Sequence, residues 1–289
     1  MAAFTPAFRS HYRYRKAKNL VMMSLTIFAT VITLTPLFLI FGYLLYKGAS
    51  SINFAFFTRL PTPVGEVGGG MANAIVGTFE LVLFAGLIGV PIGVGAGIYI
   101  AEHRGMRLAG AIRFAADVMM GVPSIVVGIF AYAILVRPMG GFSAIAGAVA
   151  LATIMIPLVT RTTEEMMLLV PHELREASLA LGVPQWRTTL SVVARTALGG
   201  IATGVILATA RIAGETAPLL FTAFGNHFWS TSLRGPVASL PVQVYTYAIS
   251  PFADWQRQAW AGALVLTAIV LALELGVRAV TGGQAKAPR

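Results

Sequence analysis

Six apolar stretches of the sequence are each long enough to cross a lipid bilayer as a helix. A bilayer core about 30 Å thick needs about 20 apolar residues at the helical rise of 1.5 Å per residue. None of the stretches shows the period-two alternation of a membrane β-barrel, so the chain is predicted to be an all-α polytopic membrane protein. The predicted spans are approximately Leu20–Tyr46, Ala72–Ala101, Ala111–Val136, Phe142–Val159, Ala197–Phe221 and Ala259–Val280.

Composition agrees with a membrane protein. Hydrophobic residues make up 57% of the chain and charged residues 11%, whereas soluble domains hold roughly 45–50% and about 25%. The sequence contains no cysteine, which excludes disulfide bonds and thiolate metal sites. The net charge of +10 comes from lysines and arginines scattered between apolar stretches, without the basic face of a nucleic-acid-binding protein.

Those basic residues predict the orientation of the chain. Most of them fall in the N-terminal tail (residues 1–19), the second connection, the loop at 161–195 and the C-terminal tail (residues 281–289). The side that retains more lysine and arginine is normally cytoplasmic, so both termini are predicted to be cytoplasmic. The first apolar stretch is much longer than the roughly 7–15 residues of a signal-peptide core, so it is expected to remain as an anchor of the transmembrane domain, residues 20–280.

Small residues recur every four positions in two spans, which predicts helices that pack closely. These residues are Gly89, Gly93 and Gly97 in the second span, and Gly200, Gly204 and Ala208 in the fifth. Prolines inside spans remove a backbone donor and favour kinks. They are Pro36, Pro91, Pro123 and Pro157.

Five ionisable residues lie within predicted spans, where a central charge costs at least about 2.5–3.5 kcal/mol. They are Glu80, Asp117, Arg211, Glu215 and Glu274. Glu80 is near enough to the outer interface to reach water. Asp117 is expected to meet Arg113, and Glu274 is expected to pair with Arg278 four residues later. These three acids therefore have ordinary structural explanations.

Arg211 and Glu215 lie past the middle of the fifth span. Their i,i+4 spacing permits a salt bridge that would account for both charges. Gly214 and Pro218 also interrupt the helix there, so the backbone can line a cavity on a transport path. Both interpretations remain open. An arginine suits a tetrahedral oxyanion, and a carboxylate tolerates only an oxyanion with a proton to share, so the pair favours hydrogen phosphate over sulfate.

The loop at 161–195 contains the signals of a short helix. Pro171 suits the helix start, Glu173 and Glu176 suit its positive end, and Gly182 suits a left-handed stop. An apolar stripe is formed by Leu174, Ala177 and Leu181. Helices that lie on lipid are usually rich in basic residues, whereas this one has two acids and one arginine. A groove on another protein is therefore the expected partner.

The residues Glu176-Ala177-Ser178, with Gly182 following, are similar to the Glu-Ala-Ala-x-x-x-Gly loop of ATP-binding-cassette importer permeases. In that family the short helix docks in a cleft of the ATPase. Ser178 stands where alanine is usual and is equally small. The resemblance implies that the ATPase-docking residues are Leu174, Glu176, Ala177, Ser178, Leu181 and Gly182.

Four further stretches, residues 68–78, 121–125, 161–165 and 211–219, resemble the permease subunits of phosphate-specific importers in this family. The resemblance implies the six-helix fold of type I importer permeases. It also implies transport of inorganic phosphate across the bacterial cytoplasmic membrane by alternating access. The residues that would line the phosphate path are Arg211, Glu215 and Arg161. From its position alone, the last of these is an ordinary arginine at the cytoplasmic end of a span.

The same resemblance implies partners: a second permease of similar fold, two copies of an ATPase and an extracytoplasmic phosphate-binding protein. The chain has no Gly-x-x-x-x-Gly-Lys-Ser/Thr phosphate loop, because its Gly68–Gly70 run is followed by Met71. ATP and Mg²⁺ are therefore expected on the partner ATPase. The chain itself is expected to hold no cofactor, metal or catalytic residue.

Three alternatives remain. A permease for another oxyanion, such as phosphonate, molybdate or sulfate, would keep the docking loop but change the charges of the fifth span. A secondary transporter or channel would not need that loop. A membrane enzyme is disfavoured, because the four histidines lie in tails or connections. They are His11, His103, His172 and His227.

Overall fold

The computed structural model describes residues 6–66, 68–230 and 232–284, with side chains described from residue 11 to residue 276 apart from residue 13. This part of the chain consists of helices and loops. The helices are α1 (Pro6–Ala49), α2 (Phe54–Thr58), α3 (Ala72–Glu102), α4 (Arg107–Gly121), α5 (Ser124–Met139), α6 (Ala144–Leu168), α7 (His172–Ala180), α8 (Gln185–Ala213), α9 (Ala217–Thr222), α10 (Leu240–Ala248) and α11 (Ala253–Gln284).

The predicted number of spans is confirmed, with one change. Five helices are long and apolar enough to cross a membrane: α1, α3, α6, α8 and α11. A sixth crossing exists if α4 and α5 are taken together as one broken span. The prediction of an all-helical, six-span membrane protein therefore describes the fold.

The packing of α3 against α6 is the centre of the structure, and the glycine stripe explains it. A Cβ atom on Gly93 would lie 2.7 Å from the Cβ of Val159, and one on Gly97 would lie 2.6 Å from the carbonyl oxygen of Thr160. Only glycine permits this approach, because real Cβ contacts are longer. The predicted close packing is confirmed at these positions.

The second predicted stripe brings α8 onto the C-terminal half of α6. A Cβ on Gly204 would lie 2.5 Å from the hydroxyl oxygen of Thr162, and Gly200 packs on Met166. Apolar side chains of α3, α6, α8 and α9 then close one core, which includes Leu81, Leu151, Met155, Ile212 and Leu219. These helices therefore form one packed body.

The third predicted span, Ala111–Val136, is wrong as a single helix. Between α4 and α5 the chain bends by 103°. Val122 and Pro123 are both extended, with ψ angles of 128° and 134°. Proline has no N–H to continue the helical hydrogen bonds, and its ring disfavours helical backbone in the residue before it. The expected kink is in fact a break.

The bounds of the fourth and fifth spans also need correction. The fourth continues through Leu168, so Arg161 lies on the helix rather than in a loop. The fifth begins at Gln185 and stops at Gly214, and a separate short helix, α9, follows. On the part of α6 beyond Val159, two charged residues pair with α4: Glu164 with Arg113, and Arg161 with Asp117.

The first helix is longer than its predicted span, because its helical part begins at Pro6 within the predicted tail. It packs on α11, where Tyr43 and Trp260 meet edge to face with ring centroids 5.1 Å apart. Its apolar window is otherwise uncovered in the single chain. Helix α11 continues through Gln284, into the predicted C-terminal tail of residues 281–289. Residues 285–289 of that tail lie outside the described residues.

Candidate functional site

Two interrupted helices meet inside the spanning region. The break between α4 and α5 lies beside the break between α8 and α9, because α5 and α9 pack together. At their contact, a Cβ on Gly128 would lie 2.7 Å from the Cα of Pro218. Backbone interruptions at membrane depth occur where protein surrounds them or where they line a cavity. Both conditions apply here.

A cleft of about 320 Å³ opens at this junction. Its wall is mostly apolar, with methionine, valine and leucine side chains from α4, α5 and α6. The polar residues that line it are Ser124, Thr153, Arg211 and Glu215. An apolar pocket with a few polar groups is the usual form of a site for a small ligand. The structure therefore brings two of the three predicted path residues to one cleft.

Arg211 and Glu215 form a loose pair. The Nε atom of Arg211 lies 3.9 Å from Oε1 of Glu215, at the limit of an ion pair and too far for a hydrogen bond. The arginine side chain is 54% exposed in the single chain, whereas the carboxylate is 17% exposed. The predicted i,i+4 pair exists, yet the guanidinium keeps its donors available. Arg211 and Glu215 can therefore pair with each other and also line the cleft.

The local backbone explains why the two side chains share the cleft. Arg211 is in the last turn of α8, and the helix ends at Gly214. The amide of Glu215 bonds back to the carbonyl oxygen of Ile212 at 3.2 Å, so the chain tightens into a turn before α9 begins. Glu215 consequently lies just past the end of α8, although the predicted fifth span had included it.

Arg161, the third predicted path residue, belongs to a different cluster. One of its terminal nitrogens donates to Glu164 at 2.7 Å, and its Nε lies 3.1 Å from Oδ1 of Asp117. Glu164 also accepts from Nε of Arg113 at 2.8 Å. The expectation that Asp117 meets Arg113 is therefore wrong: each contacts a residue of α6. The physical reason is that the 103° bend lays α4 against α6.

Glu164 is the centre of this cluster, with a side chain only 3% exposed between the two arginines. A buried carboxylate needs such partners, because an unpaired buried charge is costly. Arg161 does not line the cleft, but Leu158, one helical turn earlier on α6, does. A weak signal for this cluster was visible in the sequence, where Glu164 follows Arg161 by three residues.

The two remaining intramembrane acids stay apart from the cleft. Glu80 is half-buried on α3 and has no ion-pair partner among the described residues. Glu274 is half-buried on α11, and the side chain of its expected partner Arg278 lies outside the described residues. Neither acid lines the cleft.

The predicted short helix in the loop is α7. It runs from His172 to Ala180, with Pro171 as its N-cap residue, and Gly182 adopts the left-handed conformation at φ 77°. Two members of the apolar stripe, Leu174 and Leu181, are exposed, the second at 84%. A helix with an uncovered apolar stripe has the form of a docking element.

The docking prediction names six residues, and the structure places them on two faces of the loop. Glu176 and Ala177 are exposed with the stripe, as is Gly182. Ser178 is buried, and its hydroxyl lies 2.9 Å from the hydroxyl of Thr188 at the start of α8. A serine in place of alanine therefore adds a bond that ties α7 to α8.

Glu102, the last residue of α3, lies outside the predicted sites. Its carboxylate forms an ion pair with Arg175 of α7 and accepts a hydrogen bond from the hydroxyl of Thr189 at 2.9 Å. A charged residue at the end of an apolar span is common, because spans usually end where polar residues begin. The position of Glu102 therefore did not indicate its partners.

Comparison with known proteins agrees with this architecture. A family model described as "Binding-protein-dependent transport system inner membrane component" matches residues 89–282. The chain is 46% identical over 273 residues to the phosphate transport system permease protein PstA of Yersinia pestis, covering 94% of this chain and 92% of that protein. It is 37% identical to a probable protein of the same name from Methanocaldococcus jannaschii, covering 93% and 95%.

Solved structures show the same fold at low sequence identity. An inward-facing MetNI methionine ABC transporter contains a chain that matches with a TM-score of 0.59 and 19% identity, over 74% of this chain and 96% of that one. An amino acid ABC transporter with histidines matches with a TM-score of 0.52 and 16% identity, over 72% and 89%.

Proposed function

This chain belongs to the family of binding-protein-dependent transport system inner membrane components, and we propose that it is the permease subunit of an ATP-driven phosphate importer. The observation that carries the proposal is its 46% identity, over nearly the whole chain, to a phosphate transport permease. The chain conducts its cargo and performs no covalent chemistry. It is a multi-pass protein of the inner membrane.

The cleft between the helix breaks supplies the chemistry for an oxyanion. The guanidinium of Arg211 presents several donors in a plane, which suits the oxygens of a phosphate. Glu215 accepts a hydrogen bond from the hydroxyl of hydrogen phosphate, and it repels an oxyanion such as sulfate that has no proton at neutral pH. The apolar wall around them strengthens both effects, because charges interact more strongly away from water.

The connection between α7 and the cleft supports coupling to an ATPase. Helix α8 begins beside α7 and ends in the turn that carries Arg211. Its 29 residues span about 43 Å at 1.5 Å per residue. In the proposed mechanism, closure of the ATPase moves α7, and α8 transmits that movement to the two helix breaks. Alternating access follows when the cleft opens to one side at a time.

The proposal includes the rest of the complex. A second permease of similar fold completes the path, two ATPase copies bind ATP and Mg²⁺, and an extracytoplasmic binding protein delivers phosphate. The exposed residues of the α7 loop contact the ATPase. Both termini lie in the cytoplasm, in agreement with the distribution of lysine and arginine. Arg161 has a supporting part in the path, because two carboxylates already engage it.

Reconstitution tests this function. The chain is co-expressed with the proposed partners, an ATPase, a second permease and a binding protein, and the complex is placed in lipid vesicles. We expect uptake of radiolabelled phosphate that requires ATP and the binding protein. Preferential uptake of sulfate, molybdate or a phosphonate would favour the other-oxyanion alternative. Uptake without ATP, or without a co-purifying ATPase, would favour a secondary transporter.

A further inference from the structure

One carboxylate at the end of α3 holds three parts of the molecule together. Glu102 contacts Arg175 through one oxygen and the hydroxyl of Thr189 through the other. The carboxylate is 8% exposed and the guanidinium 19% exposed, so water screens this pair only weakly. Arg175 belongs to α7, and Thr189 lies in the first turns of α8.

Arg175 extends the same connection to α6. Its second terminal nitrogen donates to the carbonyl oxygen of Met167 at 3.3 Å, in the last turn of that helix. The guanidinium thus bridges the ends of α3 and α6 while its backbone lies on α7. Among the described side chains, this is the charged contact that joins the docking helix to those two helices.

The helices that Arg175 reaches, α3 and α6, share the most extensive helix–helix contact in the described part of the chain. The Gly89, Gly93 and Gly97 stripe brings α3 against α6 along their length. Close-packed interfaces resist gradual deformation, so the two helices move together. A displacement of α7 that is transmitted through Arg175 and Glu102 consequently moves that pair as well as α8.

We infer that Glu102 is a positioning residue for energy coupling: its buried carboxylate holds Arg175 and Thr189 so that movement of the docking helix reaches α3, α6 and α8 together. The inference rests on the proposed function, because it needs an ATPase that grips α7. Glu102 does not line the proposed cargo cleft, and ATP is proposed to bind the partner ATPase. Its loss leaves ATP hydrolysis in place and separates hydrolysis from transport.

The test measures phosphate transported per ATP hydrolysed by the reconstituted complex. Glu102→Gln keeps the shape of the side chain and removes its charge, whereas Glu102→Ala removes its contacts with both Arg175 and Thr189. We expect both complexes to hydrolyse ATP and the transport ratio to fall by about threefold or more, the alanine variant being more affected. A double variant, Glu102→Arg with Arg175→Glu, restores the opposite charges and should recover part of the ratio.

Glu165→Gln is the matched control, since Glu165 is an exposed acid on α6 with no ion pair among the described residues. It should leave the ratio unchanged. An unchanged ratio in assembled Glu102→Gln and Glu102→Ala complexes would overturn the inference. So would failure of both to assemble while Glu165→Gln assembles, because the pair would then serve folding. Absence of phosphate uptake by the unaltered complex would instead contradict the proposed function.

Discussion

Arg211 and Glu215 face each other across the end of one helix, with 3.9 Å between the arginine Nε and the glutamate Oε1. At this distance the two charges reduce each other's cost within the membrane, yet no hydrogen bond consumes the guanidinium donors. An anion that enters the cleft can therefore bind Arg211 without first breaking a strong bond.

Arg211→Gln is expected to abolish phosphate uptake while the complex still assembles, because glutamine lacks both the charge and the planar set of donors. Arg211→Lys should retain partial uptake, since lysine keeps the positive charge but lacks the planar set of donors of a guanidinium. Phosphate uptake by reconstituted vesicles measures transport, and co-purification of the ATPase measures assembly of the complex. Arg137→Gln, an exposed arginine on α5 outside the cleft, is the control. Normal uptake by Arg211→Gln would reduce the pair to a structural role.

Gly182→Val is expected to abolish ATPase association without preventing membrane insertion. Gly182 has a φ of 77°, and a β-branched residue there costs about 1–3 kcal/mol of backbone strain, so the end of the docking helix is reshaped. Gly140 has nearly the same φ, 76°, but lies at the end of α5, which makes Gly140→Val a control with equal strain.

Glu176→Lys should have the same effect as Gly182→Val through reversed charge on the exposed face of α7. Co-purification of the ATPase with each tagged variant measures association. Retention of the ATPase by Glu176→Lys and Gly182→Val would contradict the docking assignment, as would an equal loss in Gly140→Val.

Glu164→Ala should lower stability by about 3 kcal/mol, because Arg113 and Arg161 would both lose their buried partner. Glu165→Ala, next along the chain and exposed, should change it by less than about 0.5 kcal/mol. Heat-induced unfolding of the detergent-solubilised protein gives the comparison. Equal unfolding temperatures for Glu164→Ala and Glu165→Ala would show that the ion pairs of Glu164 contribute nothing to stability.

Gly93→Ala tests the α3–α6 interface. Its new Cβ would lie 2.7 Å from the Cβ of Val159, so we expect a loss of about 1–3 kcal/mol from overpacking. Gly95→Ala, on the same helix, places its Cβ in open space and should be neutral or stabilising by up to about 1 kcal/mol, since alanine favours helices. Thermal unfolding of both variants is the measurement, and a milder effect at Gly93 than at Gly95 would contradict the packing.

The sequence predicted the features that depend on local chemistry. Bilayer thickness fixes the length of a span, four-residue spacing fixes the glycine stripe, and turn preferences fix the ends of α7 between Pro171 and Gly182. The Arg211–Glu215 pair was predictable from its i,i+4 spacing, although Glu215 reaches Arg211 from the turn after α8 rather than from the helix itself.

Features that depend on tertiary geometry were not predictable. Pro123 indicated an interruption but not the 103° bend, whose angle depends on what α4 and α5 pack against. Asp117 pairs with Arg161 rather than with Arg113, because the bend places α4 against α6. Glu102 and Arg175 are far apart in the chain, so no local pattern links them.

The short helix α9 has a consequence for the order in which the molecule is assembled. Its six residues cover about 9 Å, far less than the roughly 30 Å of a bilayer core, so the lipid alone does not fix its position. Its contact with α5, at Gly128 and Pro218, does so instead. The long helices can insert one by one as independent units, but the cleft exists only after they have associated. Insertion of this chain and acquisition of its cargo site are therefore separate events.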